Sequence, residues 1–411
     1  MDKKPEKLVP EVRFKGFTDD WEQHKLGDIT IPIKTYPYTR KYETKNITKF
    51  KYIHYGDIHT GKAKKINEPS KLPSITKGNY STLRNGDVVV ADASEDYKGI
   101  ADAAILLSTG AFSIIAGLHT IAFRPNRKLV FPMFIYYNLQ TSRFKHYGYH
   151  VGTGLKVFGI SSNLFFDYSA FHPSLIEQQE ISKLIESLEN LLSLQQRKLE
   201  QLNLLQKYVK EKTLPSQKKL PKLRFLNTPY NTYKFSELFK KSTKKNDGQI
   251  LQNHVISVAN MRWGKLPKSS SEAYMKTYFI FNEGDIAYEG NRSKNYSFGR
   301  FVANDLGNGI VSHVFSVFNS KSNFNLEFLK NYINSEQVMR DPLRMSTSRT
   351  TMMTNLVLKD IAKQTLMIPS KDEQDLLGSL YKIIQSLIEL NVKKKQELIH
   401  LKNYLLQKLF V

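Results

Sequence analysis

His146 and His150 are the nearest this sequence comes to a metal-ligand pair. One helical face would bring them together. No carboxylate lies between them and no His-Glu-x-x-His occurs, so the pair reads as part of a polar surface. Gly61-Lys62 is followed by Ala63, and Gly264-Lys265 by Leu266. Neither completes the Gly-x-x-x-x-Gly-Lys-Ser/Thr loop that cradles phosphates. Gly152-Thr-Gly154 is too short for a nucleotide loop. Cysteine is absent, which excludes disulfides, thiolate zinc sites and thiol catalysis. Glu43-Thr-Lys45 has no Pro-Asp before it, so a nuclease carboxylate cluster is unsupported. No metal is expected on this chain.

The chemistry that is present is recognition. Cationic residues interleave with aromatic and small polar ones in four runs, whose candidate DNA contacts are as follows. Lys34-Thr-Tyr-Pro-Tyr-Thr-Arg-Lys41 offers Lys34, Tyr36, Arg40 and Lys41. Arg143-Phe-Lys-His-Tyr-Gly-Tyr-His150 and the following Gly152-Thr-Gly-Leu-Lys156 offer Arg143, Lys145, Tyr147, His150, Thr153 and Lys156. Asn291-Arg-Ser-Lys-Asn-Tyr296 offers Arg292, Lys294 and Asn295. Arg340-Asp-Pro-Leu-Arg-Met-Ser-Thr-Ser-Arg-Thr350 offers Arg340, Arg344, Thr347 and Arg349. Arg and Lys hold phosphates or the guanine edge, Asn reads adenine, and Thr meets the thymine methyl. The whole chain agrees: 61 Lys and Arg against 38 Asp and Glu leave a net charge of +23. Such a balance favours a polyanionic partner, nucleic acid before membrane. Asn227-Thr-Pro-Tyr230 departs from the Asn-Pro-Pro-Tyr loop of adenine methyltransferases at its second position. With no Gly-rich cofactor loop upstream, it reads as a turn.

These runs need a scaffold, and 411 residues are too many for one ordinary core. The chain repeats itself. Phe171-His-Pro-Ser-Leu-Ile-Glu-Gln-Gln returns as Met367-Ile-Pro-Ser-Lys-Asp-Glu-Gln-Asp, 196 residues on. His119 returns as His313, Asn85-Gly-Asp as Glu283-Gly-Asp, Gly61-Lys62 as Gly264-Lys265, and Arg13-Phe14 as Arg224-Phe225. The drifting shift implies a shared framework with unlike loops. Each half begins with short β-like runs, such as Asp87-Val-Val-Val-Ala and Asp285-Ile-Ala-Tyr, bounded by Gly and Asn. Helical runs at Pro132 to Phe144 and Leu326 to Met339 complete an α+β domain. No apolar stretch approaches a membrane span, and the start lacks the apolar core of a secretory signal, so a cytoplasmic protein is expected.

Each half ends in one long helix. Ser174-x-x-Glu177 and Ser370-x-x-Glu373 are capping boxes, in which Ser accepts from the third helical N–H and Glu reaches back to the cap. Leu214-Pro215 stops the first helix. The expected parts are a first domain over 1–173, a helix over 174–214, a linker over 215–222, a second domain over 223–369 and a helix over 370–411. A 3-4 spacing assigns Leu184, Leu188, Leu191, Leu202 and Leu205 to a helix-pair seam, with Leu380, Ile384, Leu387, Leu398 and Leu401 opposite. The same spacing lands on Gln195 and Asn391 near the helix midpoints. In an antiparallel pair these two amides are expected to face each other and exchange hydrogen bonds.

The whole chain resembles the specificity subunit of a type I restriction-modification system. The resemblance rests on Val9-Pro-Glu-Val-Arg-Phe-Lys-Gly-Phe-x-Asp-Asp-Trp21, on Trp21-Glu-Gln-His-Lys-Leu-Gly-Asp28 and Lys234-Phe-Ser-Glu-Leu238, and on Asn85-Gly-Asp-Val-Val-Val-Ala-Asp-Ala-Ser-Glu-Asp96. Gly152-Thr-Gly-x-Lys156 and the two Pro-Ser-x-x-Glu-Gln segments complete it. The second half departs from the pattern, with Ser348-Arg-Thr350 in place of Gly-Thr-Gly and Val258-Ala-Asn260 opposite Tyr55-Gly-Asp57. The resemblance implies two target-recognition domains, each reading one part of a split, non-palindromic DNA site. It implies antiparallel helices that dock two methyltransferase subunits, and restriction subunits that join the assembled complex. S-adenosylmethionine, ATP and magnesium would sit on those partners, and this chain would be non-catalytic. Charge and repeat alone fit a stand-alone DNA-binding regulator equally well.

Overall fold

The computed structural model describes residues 9–96, 99–154, 157–216, 219–264, 272–349 and 353–411, with the side chains of Gln252, Glu272 and Arg349 outside the description. The chain is α+β and forms two units: residues 1–195 with 394–411, and residues 196–393. Each long helix therefore lends one part to each unit.

In the first unit a five-stranded sheet has the order Thr30–Ile33, Thr120–Pro125, Val88–Ala91, Ala103–Leu106 and Lys65–Ile66. Its neighbours pair antiparallel except the last, which is parallel. The middle strand, Val88–Ala91, is buried throughout. Side chains alternate across a sheet, so Val88 and Val90 enter one core and Val89 and Ala91 another. A strand covered on both faces has no polar side, which is why it reads as an unbroken apolar run. Val88 and Val90 share a core with Phe123, Phe134, Tyr137 and Phe144, together with Ile181 and Ile185 of the first long helix, Leu406 of the second, and Leu409 just past its end. The helical run after Pro132 is two helices, Pro132–Asn138 and Ser142–Val151, the second capped by the Thr141 hydroxyl.

The second unit repeats the plan with four strands, ordered Phe239–Lys241, Ser316–Ser320, Ile286–Glu289 and Arg300–Ala303. Ile286, Tyr288, Phe301 and Phe318 pack on Phe328 and Tyr332, and on Leu377 and Tyr381 of the second long helix. The opposite face buries Ala287, Val302 and Val317 against Ile256 and Phe281.

The long helices span Leu175–Thr213 and Lys371–Lys408. The Ser half of each capping box forms, with Glu177 N and Glu373 N donating to the Ser hydroxyls. The Glu half does not. Glu177 takes both carboxylate oxygens to Arg13, and Glu373 accepts from the N–H groups of Phe225 and Leu226. Both carboxylates are buried, and each ties the entering chain of its own half to the helix start. A buried carboxylate takes the strongest donors in reach, and here the entry strap supplies them.

Within each unit the two helices run antiparallel. In the first, Glu189 near the start of one helix meets Lys402 near the end of the other at 2.5 Å. Lys65 of the sheet reaches the same carboxylate at 2.6 Å, and the Tyr137 hydroxyl donates to it at 3.0 Å. In the second unit Gln206 donates to Gln385 at 2.9 Å, and Thr213 and Tyr381 share a hydroxyl bond at 2.7 Å. Gln206 and Gln385 are the repeat equivalents of Lys402 and Glu189, so one position carries an ion pair in one unit and an amide pair in the other.

Burial pushes the Glu189 carboxyl up, but Lys402 and Lys65 outweigh it and hold it below its usual range. A depressed carboxyl contributes stability above its unfolded pKa, and that stability is lost as pH falls through the lower folded value. Glu189→Ala would strand Lys402, only about a fifth exposed, and leave Lys65 with Glu186 at 3.6 Å and the Tyr137 hydroxyl. The expected cost is about 2 kcal/mol, below that of a fully buried pair because water still reaches these groups. Urea unfolding of the full chain at neutral pH measures it, and the difference from wild type should shrink under acid conditions.

On the helices, Leu188, Ile384 and Asn391 are buried, and Leu184, Gln195, Leu202, Leu380 and Leu398 are half-buried. Leu191, Leu205, Leu387 and Leu401 are 49, 46, 42 and 44% exposed, which corrects their place in the expected seam. Each helix carries two apolar stripes, and a 3-4 spacing alone steps from one to the other. The packed stripe runs instead through Ile181, Ile185, Leu188 and Leu199 on the first helix, and Leu377, Tyr381, Ile384 and Leu406 on the second. Asn391 donates to the Leu387 carbonyl of its own helix at 2.7 Å.

Candidate nucleic-acid interface

In each unit the loops at the C-terminal end of the central strand gather most of the candidate residues. In the first unit Val88–Ala91 leads into Asp92, which pairs beside the turn before Thr120–Pro125. The run from Lys34 lies along that turn, with Tyr36 N donating to Ala116 O and Leu118 N to Tyr38 O. Gly159 pairs with Ala93, Thr153 bridges to Gly159, and Ile160 N donates to Asp92 O, so the Gly-rich hairpin closes on the same place. The second unit matches this. Asn291 bridges to Met353, Thr354 N donates to Gly290 O, and the hairpin Thr347–Arg349 with Thr354–Leu356 stands beside the loop after Ile286–Glu289.

Not every candidate side chain is free to meet a ligand. Lys34 and Lys41 are exposed, Lys34 lying 5.4 Å over the Tyr36 ring. Tyr36 packs edge-on to Tyr80 in a cluster with Tyr38, and Tyr38 stacks on Tyr42 at 4.5 Å. Arg40 is held by both oxygens of buried Asp57 and by Glu43, so it braces the loop. Lys145 bonds Asp102 at 2.6 Å and the Ile100 carbonyl, and Tyr147 donates to Leu164 O, which ties both to the fold. Asp102 also holds His59 at 3.4 Å. Burial pushes this carboxyl up, but His59 and Lys145 overcome that and hold it low.

His150 and His146 are exposed, their Nε2 atoms 3.0 Å apart, so one ring donates to the other. Thr153 is exposed where it bridges to Gly159. Arg143 sits at the far end of its helix, over the Phe171 ring, and is separated from the cluster. Lys156 lies outside the described residues. In the second unit Arg292, Lys294, Asn295, Arg340 and Arg344 are exposed, Arg344 standing 3.5 Å from Asp341. Thr347 donates to Leu343 O, and Arg349 is placed by its backbone in the hairpin. Arg300, absent from the candidates, binds Glu289 and the Ala259 carbonyl, and so joins the 259 loop to the strand.

Among the described residues no group of three or more His, Cys, Asp or Glu could hold a metal ion, and no helix is long and apolar enough to cross a membrane. The arrangement offers cations, amides and backbone on two loop clusters.

The fold is that of the S subunits of type I restriction-modification systems. The S subunit from M. genitalium superimposes with a TM-score of 0.55 at 12% identity, covering 98% of this chain and 99% of that one. The HsdS subunit from Thermoanaerobacter tengcongensis gives 0.53 at 17%, over 99% and 98%. A chain solved in work on complex assembly and conformational transition of the type I R-M system gives 0.57 at 14%, over 94% and 96%. No family model and no curated protein matches the sequence.

Proposed function

We propose that this chain is the specificity subunit of a type I restriction-modification complex. In this reading each unit binds double-stranded DNA and reads one part of a split site. Two methyltransferase subunits dock on the helices, restriction subunits join through the assembled complex, and the assembly works in the cytoplasm. Catalysis, with S-adenosylmethionine, ATP and magnesium, belongs to the partners. The observation that carries the reading is the full-length fold shared with S subunits, in a chain whose two halves both gather basic loops at the same end of the same strand. The unlike loops support two unlike half-sites.

A second feature supports the docking of two like partners. The exposed leucines repeat by 196, which is 28 heptads, so repeat equivalents keep the same heptad position. The first unit exposes Leu191, Leu194, Leu401 and Tyr404, and the second Leu205, Tyr208, Leu387 and Leu390. Equivalent heptad positions of an antiparallel pair lie on one side of it, so each unit presents one four-residue apolar patch.

Co-expression with methyltransferase chains tests the reading. The expected product is a complex of two methyltransferase subunits per chain, and the isolated chain should neither methylate nor cleave DNA. Tight sequence-specific binding by the isolated chain, with no methyltransferase captured, would favour the stand-alone regulator.

A further inference from the structure

His119 stands within the first unit's loop cluster, between Asp92 and the run from Lys34. Its backbone is left-handed, with φ 54°, in the turn that enters Thr120–Pro125. Few residues other than glycine adopt that conformation, and histidine is among those that tolerate it. The turn is fixed from several sides. Asp92 N donates to His119 O at 3.1 Å, and Leu118 N donates to Tyr38 O at 3.2 Å. The ring is fixed as well: Nδ1 lies 3.3 Å from Asp92 Oδ1, and Tyr55 packs edge-on at 5.4 Å. Yet the side chain is half exposed, between the run from Lys34 and the Gly-rich hairpin. A strained, braced and accessible side chain is what a positioned contact requires.

The brace also sets the chemistry. An ionised carboxylate only accepts, so the tautomer that bonds Asp92 carries its proton on Nδ1 and presents Nε2 as an acceptor. In the DNA major groove the exocyclic amines of adenine and cytosine are donors, whereas guanine and thymine present acceptors at the corresponding positions. We propose that His119 reads one exocyclic amine, adenine N6 or cytosine N4, through Nε2, with Asp92 as its positioning residue. The proposal rests on the DNA-reading function argued above.

The test is selection from a randomised duplex library by the complex assembled with its methyltransferase subunits, followed by binding to single-base variants. Wild type should show one adenine- or cytosine-preferring position in one half-site, and which base is selected distinguishes the two amines. His119→Gly, which suits the left-handed backbone, should weaken discrimination at that position by about 10-fold and leave the salt slope and the other half-site unchanged. Asp92→Asn frees the ring to take either tautomer, so preference should relax at the same position and no other. An unchanged site in both variants, beside a wild type that selects a split site, overturns the assignment and leaves the DNA-reading function standing. Loss of the whole half-site in both variants marks a folding role and also overturns it. A wild-type complex that selects no site overturns the DNA-reading function itself.

Discussion

Raising salt from 50 to 200 mM should weaken DNA binding by the assembled complex a little under a thousandfold. Lys34, Lys41, Arg292, Lys294 and Arg340 are exposed at or beside the two loop clusters. If each neutralises one phosphate, the released counterions give a log–log slope of about −4.5, which over a fourfold salt change is a little under three decades. Arg40, Lys145 and Arg344 are left out of that count, because Asp57, Asp102 and Asp341 already pair with them. Arg40→Ala should therefore act through the loop it braces and leave the slope unchanged. Fluorescence anisotropy across a salt series measures both, and a flat response would mean that these cations face something other than phosphate.

Leu191→Asp should remove one methyltransferase subunit from the complex, Leu387→Asp the other, and the double variant both. Each leucine is more than two-fifths exposed in the chain by itself, so neither change opens a core, and the cost to folding is limited to helix propensity, about 0.5 kcal/mol. In a docked interface each leucine would contribute about 2 kcal/mol of burial, and a carboxylate in its place costs more than that to desolvate. The affinity of the patch should fall by about a hundredfold or more. Native mass spectrometry reads the stoichiometry: two methyltransferase subunits for wild type, one for either single variant and none for the double. Two subunits retained by the double variant would place the docking surface elsewhere.

The long helices are legible in the sequence because their limits are local. Ser174 and Ser370 cap their starts, and Pro215 follows the end of the first. The destination of Glu177 is not legible, because Arg13 lies 164 residues away and a capping box describes only neighbours. The seam is half legible for a similar reason. Leu188 packs and Leu191 does not, yet both satisfy the same spacing, and only the facing helix distinguishes them. In the loop clusters, residue type points to the right segments but cannot tell a free cation from one already paired. Lys41 and Lys145 look alike in sequence, and a carboxylate 43 residues upstream decides that Lys145 serves the fold. His119 shows in the sequence only through its repeat in His313; its left-handed backbone and its bond to Asp92 exist only once the two strands pair.

The claim that each half of this chain reads a different part of one DNA site is tested most directly by mapping methylated bases in the genome of a host that carries the chain with its methyltransferase and restriction partners. The account predicts one motif of two short, unlike parts separated by a fixed run of unspecified bases, and its disappearance when this chain alone is deleted. A single continuous or perfectly palindromic motif, or a motif that persists without the chain, would contradict it.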